Sequence, residues 1–131
     1  MKNLISFTTG TLLTGIAYFL GGWDTAIQTL ILVMGIDYIT GVIKAIKKKK
    51  LNSKTGLWGI AKKFGYLLIV MLSVVMDKIV GDTGAIRTMV IYFFVANDGI
   101  SILENWGEMG LPLPQKIFNV LEQLKNDNDP K

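Results

Sequence analysis

The distribution of basic residues is the feature that most constrains this sequence. There is no Lys or Arg between Lys2 and Lys44, and none between Arg87 and Lys116. Eight lysines instead fall within segment 44–63, between two long apolar stretches. A soluble helical protein needs a polar, charged stripe on the outer face of each helix. This uneven distribution of basic residues therefore favours a membrane protein, and the basic segment is typical of a cytoplasmic loop.

Composition excludes several classes of function. The 131-residue chain has neither His nor Cys, so it lacks the commonest acid/base group, imidazole metal ligands and thiolates. No nucleophile–base pair, phosphate-binding glycine loop or metal-ligand cluster can be found. The net charge of +4 lies mostly in the basic segment, which has no aromatic stacking residues around "KAIKKKK". We expect no enzyme activity, no cofactor, no metal and no nucleic-acid partner.

Four apolar segments predict the fold, at residues 4–20, 26–43, 64–80 and 88–103. Each has 16 to 18 residues, which is about 24–27 Å of helix against a hydrocarbon core of about 30 Å. All three tryptophans lie in the intervening or following segments, as interfacial aromatic residues do. We predict an all-α membrane protein with about four short transmembrane helices, three being possible, and a C-terminal amphipathic helix.

The first apolar segment allows two interpretations. Lys2 followed by an apolar run is typical of a signal peptide, but no clear small-residue cleavage site precedes Trp23. We therefore expect an uncleaved helix. Its pairs Gly10/Thr14 and Thr11/Gly15 have the spacing of small residues that lets helices approach closely, although small residues also occur by chance in a weak helix.

The chain divides into residues 1–110, the transmembrane helical region, and residues 111–131, an amphipathic helix with a polar tail. Apolar side chains follow helical spacing in the second part, at Ile117, Phe118, Val120, Leu121 and Leu124. This helix could lie on the membrane surface, bind a partner or pack within the chain. We expect a multi-pass protein of the bacterial cytoplasmic membrane. With four spans and a cytoplasmic basic segment, both of its termini would lie in the cytoplasm.

Charged and polar residues inside the apolar segments are candidate site residues, because a charge in a bilayer costs about 2.5–3.5 kcal/mol unless it finds a partner or water. Asp37, Thr40 and Lys44 share one helix face. The fourth segment contributes Asn97, Asp98, Ser101 and Glu104. These residues predict an intramembrane polar interface, an oligomer contact or a water-filled lumen.

Simpler roles remain open for the same residues. Asp37 could pair with Lys44, while Asn97 and Asp98 could join helices without a further function. Arg87 could pair with Asp77 or Asp82, or anchor its helix at the interface. The predicted cytoplasmic basic loop consists of Lys47, Lys48, Lys49, Lys50, Lys54, Lys62 and Lys63.

Several short motifs, taken together, resemble the toxin-secretion/phage-lysis holins. They are "DYITG" (37–41), "NSKTGLWGIAKK" (52–63), "IRTMVIYFFVANDGISILEN" (86–105) and "GLPLP" (110–114), in the expected order. The resemblance covers about residues 30–125. The family often has Glu after the Asn of the third motif, where this chain has Asp98.

The resemblance implies a holin, which oligomerises in the cytoplasmic membrane of the host. Its lesions would release a muralytic endolysin for host lysis, or a large secreted toxin, without direct binding to either. The bilayer and further copies of the chain are then the physical partners. Two alternatives are a non-lytic membrane scaffold or accessory subunit, and a small ion channel.

Overall fold

The computed structural model describes residues 1–128, which form five α-helices and no strand. The helices are α1 (Lys2–Phe19), α2 (Thr25–Lys47), α3 (Ser53–Val80), α4 (Ala85–Glu108) and α5 (Gln115–Asn128). The end of the predicted polar tail, 129–131, lies outside the described residues.

Side-chain caps fix where the three long helices begin. Asp24 accepts a hydrogen bond from the Ile27 amide at 3.1 Å, and Asn52 accepts one from Thr55 at 2.7 Å. Both satisfy amides that lack partners in the first helical turn. The start of α4 is capped from another helix, because the Asp77 carboxylate of α3 accepts from the amides of Ile86 and Arg87, each at 2.9 Å.

α4 is the central helix, against which α2, α3 and α5 all pack. The start of α4 meets the start of α2 and the end of α3, so α2 and α4 run parallel and α3 runs opposite to them. The buried apolar core includes Ile27 and Leu30 of α2, Val70 of α3 and Ile91 of α4. α5 folds back along α4, and a Cβ atom at Gly99 would lie 2.9 Å from Leu121 Cδ1.

The outer surface of the bundle is apolar. Leu32 of α2 and both Leu72 and Ile79 of α3 are more than half exposed. Several polar side chains, in contrast, are buried between the helices. Large exposed apolar surfaces mark interaction sites or lipid contact, and this arrangement suits helices whose solvent is a bilayer.

Three helices are long and apolar enough to cross a membrane: α2, α3 and α4, with mean hydropathies of 1.8, 1.7 and 1.4. They have 23, 28 and 24 residues, more than the apolar segments predicted for them. At 1.5 Å per residue they reach about 35–42 Å, so they need no thinned bilayer. The fold agrees with the three-span form of the prediction.

α1 differs from the other predicted spans. It forms a helix as expected but falls outside the set of candidate spans, because Thr and Gly residues and its first two polar residues lower its hydropathy. None of its residues is buried, and its small residues Gly10 and Gly15 have no atoms beyond its own helix within 4 Å of a Cβ position. The predicted close approach at Gly10/Thr14 and Thr11/Gly15 therefore does not occur within one chain.

Candidate functional site

A buried ion cluster joins α2, α3 and α4. The Lys63 ammonium lies 2.6 Å from Asp37 Oδ2 and 2.9 Å from Asp98 Oδ2. The side chain of Asp98 is 2% exposed, and those of Asp37 and Lys63 are 12% and 14% exposed. We refer to Asp37, Lys63 and Asp98 as the triad. One ammonium thus contacts carboxylates of two other helices and links all three helices of the bundle.

The triad lies deep within the candidate spans. Asp37 is about 18 Å from the start of α2 and about 15 Å from its end, at 1.5 Å per residue. Asp98 has a similar position in α4, about 20 Å from its start and about 15 Å from its end. Lys63 lies about 15 Å inside α3. Three ionisable groups therefore meet well inside helices that are long enough to cross a layer of about 30 Å.

Charge balance at the triad is incomplete. Two carboxylates and one ammonium carry one net negative charge when all three groups are ionised. Such groups persist at depth only when they are paired and hydrogen-bonded, because removing one partner leaves an uncompensated buried charge.

Amides and hydroxyls extend the triad toward the ends of α2 and α4 that carry Lys47 and Glu108. Asn105 Nδ2 donates to Thr40 Oγ1 at 3.0 Å and to Asp37 Oδ1 at 3.4 Å. On the other side of the triad, Asn97 Nδ2 donates to the Tyr66 hydroxyl at 3.0 Å. Among the described residues every fully buried side-chain N or O atom has a hydrogen-bond partner. The polar interior is thus satisfied within a single chain.

The structure brings together only part of the predicted site. Asp37, Thr40, Asn97 and Asp98 all lie in the polar interior. Ser101 lines a neighbouring cleft. Glu104 is exposed and does not join the others.

The alternative pairing of Asp37 with Lys44 is wrong. Asp37 instead pairs with Lys63, and Lys44 lies 3.2 Å from Glu108 at the end of α4. A pairing along α2 would have to span two helical turns, whereas Lys63 of α3 faces Asp37 directly.

The predicted basic loop is shorter than expected. Lys47 ends α2 and contacts the Met109 carbonyl, while Lys54, Lys62 and Lys63 belong to α3. Lys48, Lys49 and Lys50 lie between the two helices, where Lys48 is 3.5 Å from Glu108. The basic charge is therefore held mainly at two helix ends rather than on a flexible loop.

Lys63 is the functional residue that sequence reasoning missed. The sequence pattern places it in the basic loop, because the predicted apolar segment begins only after Lys62 and Lys63. A signal was nevertheless present, because Lys63 shares its helix face with the buried residues of α3. Those residues follow at alternating steps of three and four, at Tyr66, Val70, Ser73 and Asp77.

A second polar cluster lies at the opposite end of the bundle. Arg87 binds both carboxylate oxygens of Asp24, with N–O distances of 2.8 and 3.0 Å, and donates to the Leu20 carbonyl at 2.7 Å. The hydrogen bond from Arg87 lowers the pKa of Asp24 below its ordinary value, against a smaller opposing effect of burial. The predicted ion pair of Arg87 with Asp77 or Asp82 is wrong, because its side chain pairs with Asp24 and Asp77 accepts from its backbone amide instead.

Metal chemistry finds no support in the described residues, which contain no group of three acidic, His or Cys residues able to hold an ion. The triad therefore does not gather enough ligands for a cation, and its Lys63 ammonium occupies the place between the two carboxylates. The arrangement is suited to structural and electrostatic roles.

Comparison with known proteins decides the family. A profile of the bacteriophage holin family matches residues 14–126, which include the triad, the last third of α1 and most of α5. The chain belongs to the bacteriophage holin family. The resemblance found in the sequence motifs is confirmed, and so is the prediction that the chain is a membrane protein and not an enzyme.

Individual relatives cover nearly the whole holin-family chain. A protein of Clostridium perfringens, called an uncharacterized 14.9 kDa protein in the nagH 3' region, is 41% identical over 96% of this chain and 98% of its own length. A protein of Bacillus phage phi105 named "Probable holin" is 36% identical over 88% of this chain and 84% of its own length. No solved structure matches the chain.

Proposed function

We propose that this holin-family chain oligomerises in the bacterial cytoplasmic membrane and forms lesions through which large proteins leave the cytoplasm. The cargo would be a muralytic endolysin in host lysis or a secreted toxin, and neither would need to bind the chain. The observation that carries this proposal is the triad, in which two carboxyl groups share one ammonium inside three membrane-length helices. Ionisable groups inside spans are costly and commonly mark a function beyond crossing the bilayer.

A topology follows from the three candidate spans. The lysines at the junction of α2 and α3 favour the cytoplasmic side for that end of the bundle. α5 then lies on the cytoplasmic side, and α1 lies on the outer side. The expectation that both termini are cytoplasmic required four spans, so the three-span topology changes the position of the N-terminus.

Lesion formation requires the closed bundle to rearrange. In the single chain the side chains of Asp37 and Asp98 face Lys63 and are only 12% and 2% exposed, so neither is presented to another copy. Separation of α2, α3 and α4 would expose them. Moving one charge across 100 mV is worth about 2.3 kcal/mol, which is comparable to the contribution of a charged hydrogen bond of about 1.5–3 kcal/mol. Membrane potential can therefore influence the opening of the triad.

Expression of the chain alone in bacteria tests this function. We expect a delay, then abrupt depolarisation accompanied by leakage of a large cytoplasmic protein. Depolarisation without protein leakage would instead identify a small channel. A tight membrane despite good expression would identify a scaffold or accessory subunit.

Neutralised acids test the part played by the triad. The variant Asp37→Asn with Asp98→Asn should change the delay or the size of the lesions, because it removes both negative charges of the triad and leaves the Lys63 ammonium without a counter-ion. Asp82→Asn with Glu122→Gln is a matched control, since both residues are exposed acids away from the triad. Normal timing and lesion size in the first double variant would exclude these acids from the mechanism.

A further inference from the structure

We propose that a cleft between α2 and α3 binds the phosphate group of an anionic phospholipid of the inner leaflet. The cleft has a volume of about 460 Å³ and lies where α2 ends and α3 begins, with Ser101 and Asn105 of α4 at its floor. It forms because α2 and α3 both pack against α4 and contact each other much less. We call it the basic cleft.

The lining of the basic cleft is strongly cationic. Its charged residues are Asp37, Lys44, Lys48, Lys50, Lys62 and Lys63, that is, five lysines and one carboxylate. The Lys63 ammonium lies 2.6 Å from Asp37 and is shared with Asp98, so it offsets only part of the carboxylate charge at this end of the cleft. Four further lysines are left to face the cleft.

Neighbouring acids offset only part of that charge. Lys44 and Lys48 share one carboxylate, that of Glu108, at 3.2 and 3.5 Å. Lys50 and Lys62 have no ion-pair partner within residues 1–128. Several positive charges converging on one concave surface without matching acids favour binding of a multiply oxygenated anion such as a phosphate.

Position and lining favour a lipid phosphate over free phosphate. The cleft lies at one end of the candidate spans, at the level where the headgroups of the inner leaflet would lie in the proposed topology. Its walls also include the apolar side chains of Val42, Ala45 and Leu51, and Trp58 is mostly exposed at the same place. Apolar walls accommodate the glycerol and upper acyl chain, and Trp is enriched at this interface. Basic pockets between spans on the cytoplasmic side are suited to anionic headgroups.

This inference rests on the proposed membrane insertion and orientation, but it does not depend on lesion formation. Binding of a lipid would hold the cytoplasmic ends of α2 and α3 at a fixed spacing. That spacing determines how Lys63 of α3 reaches Asp37 of α2. The lipid content of the inner leaflet would thus influence the stability of the triad.

Trp58 provides a probe of the cleft within the full chain. In the variant Trp23→Phe with Trp106→Phe, fluorescence comes from Trp58 alone. We would reconstitute this chain in phosphatidylcholine vesicles that contain a small mole fraction of brominated phosphatidylglycerol, or the same fraction of brominated phosphatidylcholine. We expect brominated phosphatidylglycerol to quench Trp58 several-fold more strongly. Equal quenching by the two lipids would overturn the proposal.

Two matched double variants separate a built site from general surface attraction. Lys50→Gln with Lys62→Gln removes two lysines from the lining, whereas Lys49→Gln with Lys54→Gln removes two nearby lysines that do not line it. We expect the first pair to lower the preference for phosphatidylglycerol by about tenfold or more, and the second pair to leave most of it. An equal loss in both would show non-specific attraction and would overturn the proposal.

Inorganic phosphate distinguishes a site for a lipid phosphate group from a site for the free phosphate ion. Added to the vesicles, it should leave the quenching unchanged if the cleft takes lipid. Release of the quenching by phosphate, with no effect of an equal concentration of chloride, would show a site for the free anion and overturn the lipid assignment. Leakage measured on the same vesicles separates this result from the proposed function, since a chain that forms no lesions can still show the lipid preference.

Discussion

The Lys63 ammonium lies 2.6 Å from Asp37 Oδ2, although 26 positions separate the two residues in the chain. This contact joins α2 to α3, two helices that pack mainly on α4 and little on each other. A second carboxylate, that of Asp98, holds the same ammonium from α4. The Lys63 side chain therefore helps to fix the positions of three helices relative to one another.

Removal of the Lys63 charge should destabilise the bundle. The change Lys63→Met leaves two carboxylates buried without a counter-ion, and we expect a loss of about 3–5 kcal/mol in the free energy of unfolding. Denaturant titration of the purified chain in detergent, followed by circular dichroism, measures this loss.

Two further variants control that experiment. Lys62→Met changes an exposed neighbour and should alter stability by less than about 0.5 kcal/mol. Combining Lys63→Met with Asp37→Asn and Asp98→Asn removes the unpaired charges and should recover most of the loss. If the triple variant is as unstable as Lys63→Met alone, unpaired buried charge is not the cause.

A methyl group at Gly21 should displace Arg87. Gly21 has a φ of +90°, and a Cβ atom there would lie 2.5 Å from Arg87 Nε and 2.8 Å from its Cδ. Gly21→Ala therefore adds a collision to the strain of a left-handed backbone, and we expect a loss of about 2–4 kcal/mol in denaturant titration.

Gly22→Ala is the matched control for this change. Gly22 also has a positive φ, of +112°, but a Cβ atom there meets no neighbour within 4 Å. Gly22→Ala should lose about 1–3 kcal/mol of unfolding free energy, from backbone strain alone. Equal losses in the two variants would contradict the collision with Arg87.

The ion pair between Asp24 and Arg87 should make stability depend on acidic pH. The hydrogen bond from Arg87 lowers the pKa of Asp24 in the folded chain, so the pair contributes fully above the unfolded pKa of about 3.9. The contribution is lost as pH falls below that value and through the lowered folded pKa.

Asp24→Asn isolates this contribution, because Asn also caps a helix but carries no charge. The difference in unfolding free energy between the original chain and Asp24→Asn should be constant near neutral pH and shrink below pH of about 4. Thermal unfolding at several pH values measures it. A difference that stays constant into strong acid would exclude the charge of Asp24 as its source.

The three-span topology predicts that the two terminal helices lie on opposite sides of the membrane. Because the chain has no Cys, single cysteines at Lys2, Lys49 or Lys116 give a clean labelling experiment. A membrane-impermeant maleimide added to intact cells before depolarisation should label Lys2→Cys and leave Lys49→Cys and Lys116→Cys unlabelled. Protection of all three would support four spans and both termini in the cytoplasm.

The sequence predicted the order of the helices well because long apolar segments and turn residues mark them clearly. Their bounds were less accurate. α3 was expected to begin at Phe64, after the lysines, but Asn52 caps it at Ser53 and the helix continues through Lys54, Lys62 and Lys63. Lysine has a good helix propensity, so a helix continues through it, whereas an apolar segment defined by hydropathy ends there.

The sequence predicted only part of the candidate site. Asp37 and Asp98 stand out because an acid inside an apolar segment is costly. Their partner did not, because Lys63 lies among other lysines and is marked only by its helical spacing from the apolar residues Tyr66 and Val70. The pairing of Arg87 with Asp24 is likewise a contact between distant parts of the chain, 63 positions apart.

Release of cargo of graded size from vesicles tests the central claim most directly. The purified chain, added alone to vesicles made of bacterial lipids, should release a small dye and a folded protein of endolysin size together, after a delay that shortens steeply as chain concentration rises. Asp37→Asn with Asp98→Asn should change that delay or the amount of protein released. Release of the dye while the protein stays inside, or no release of either, would contradict the account of this chain as a lesion-forming holin.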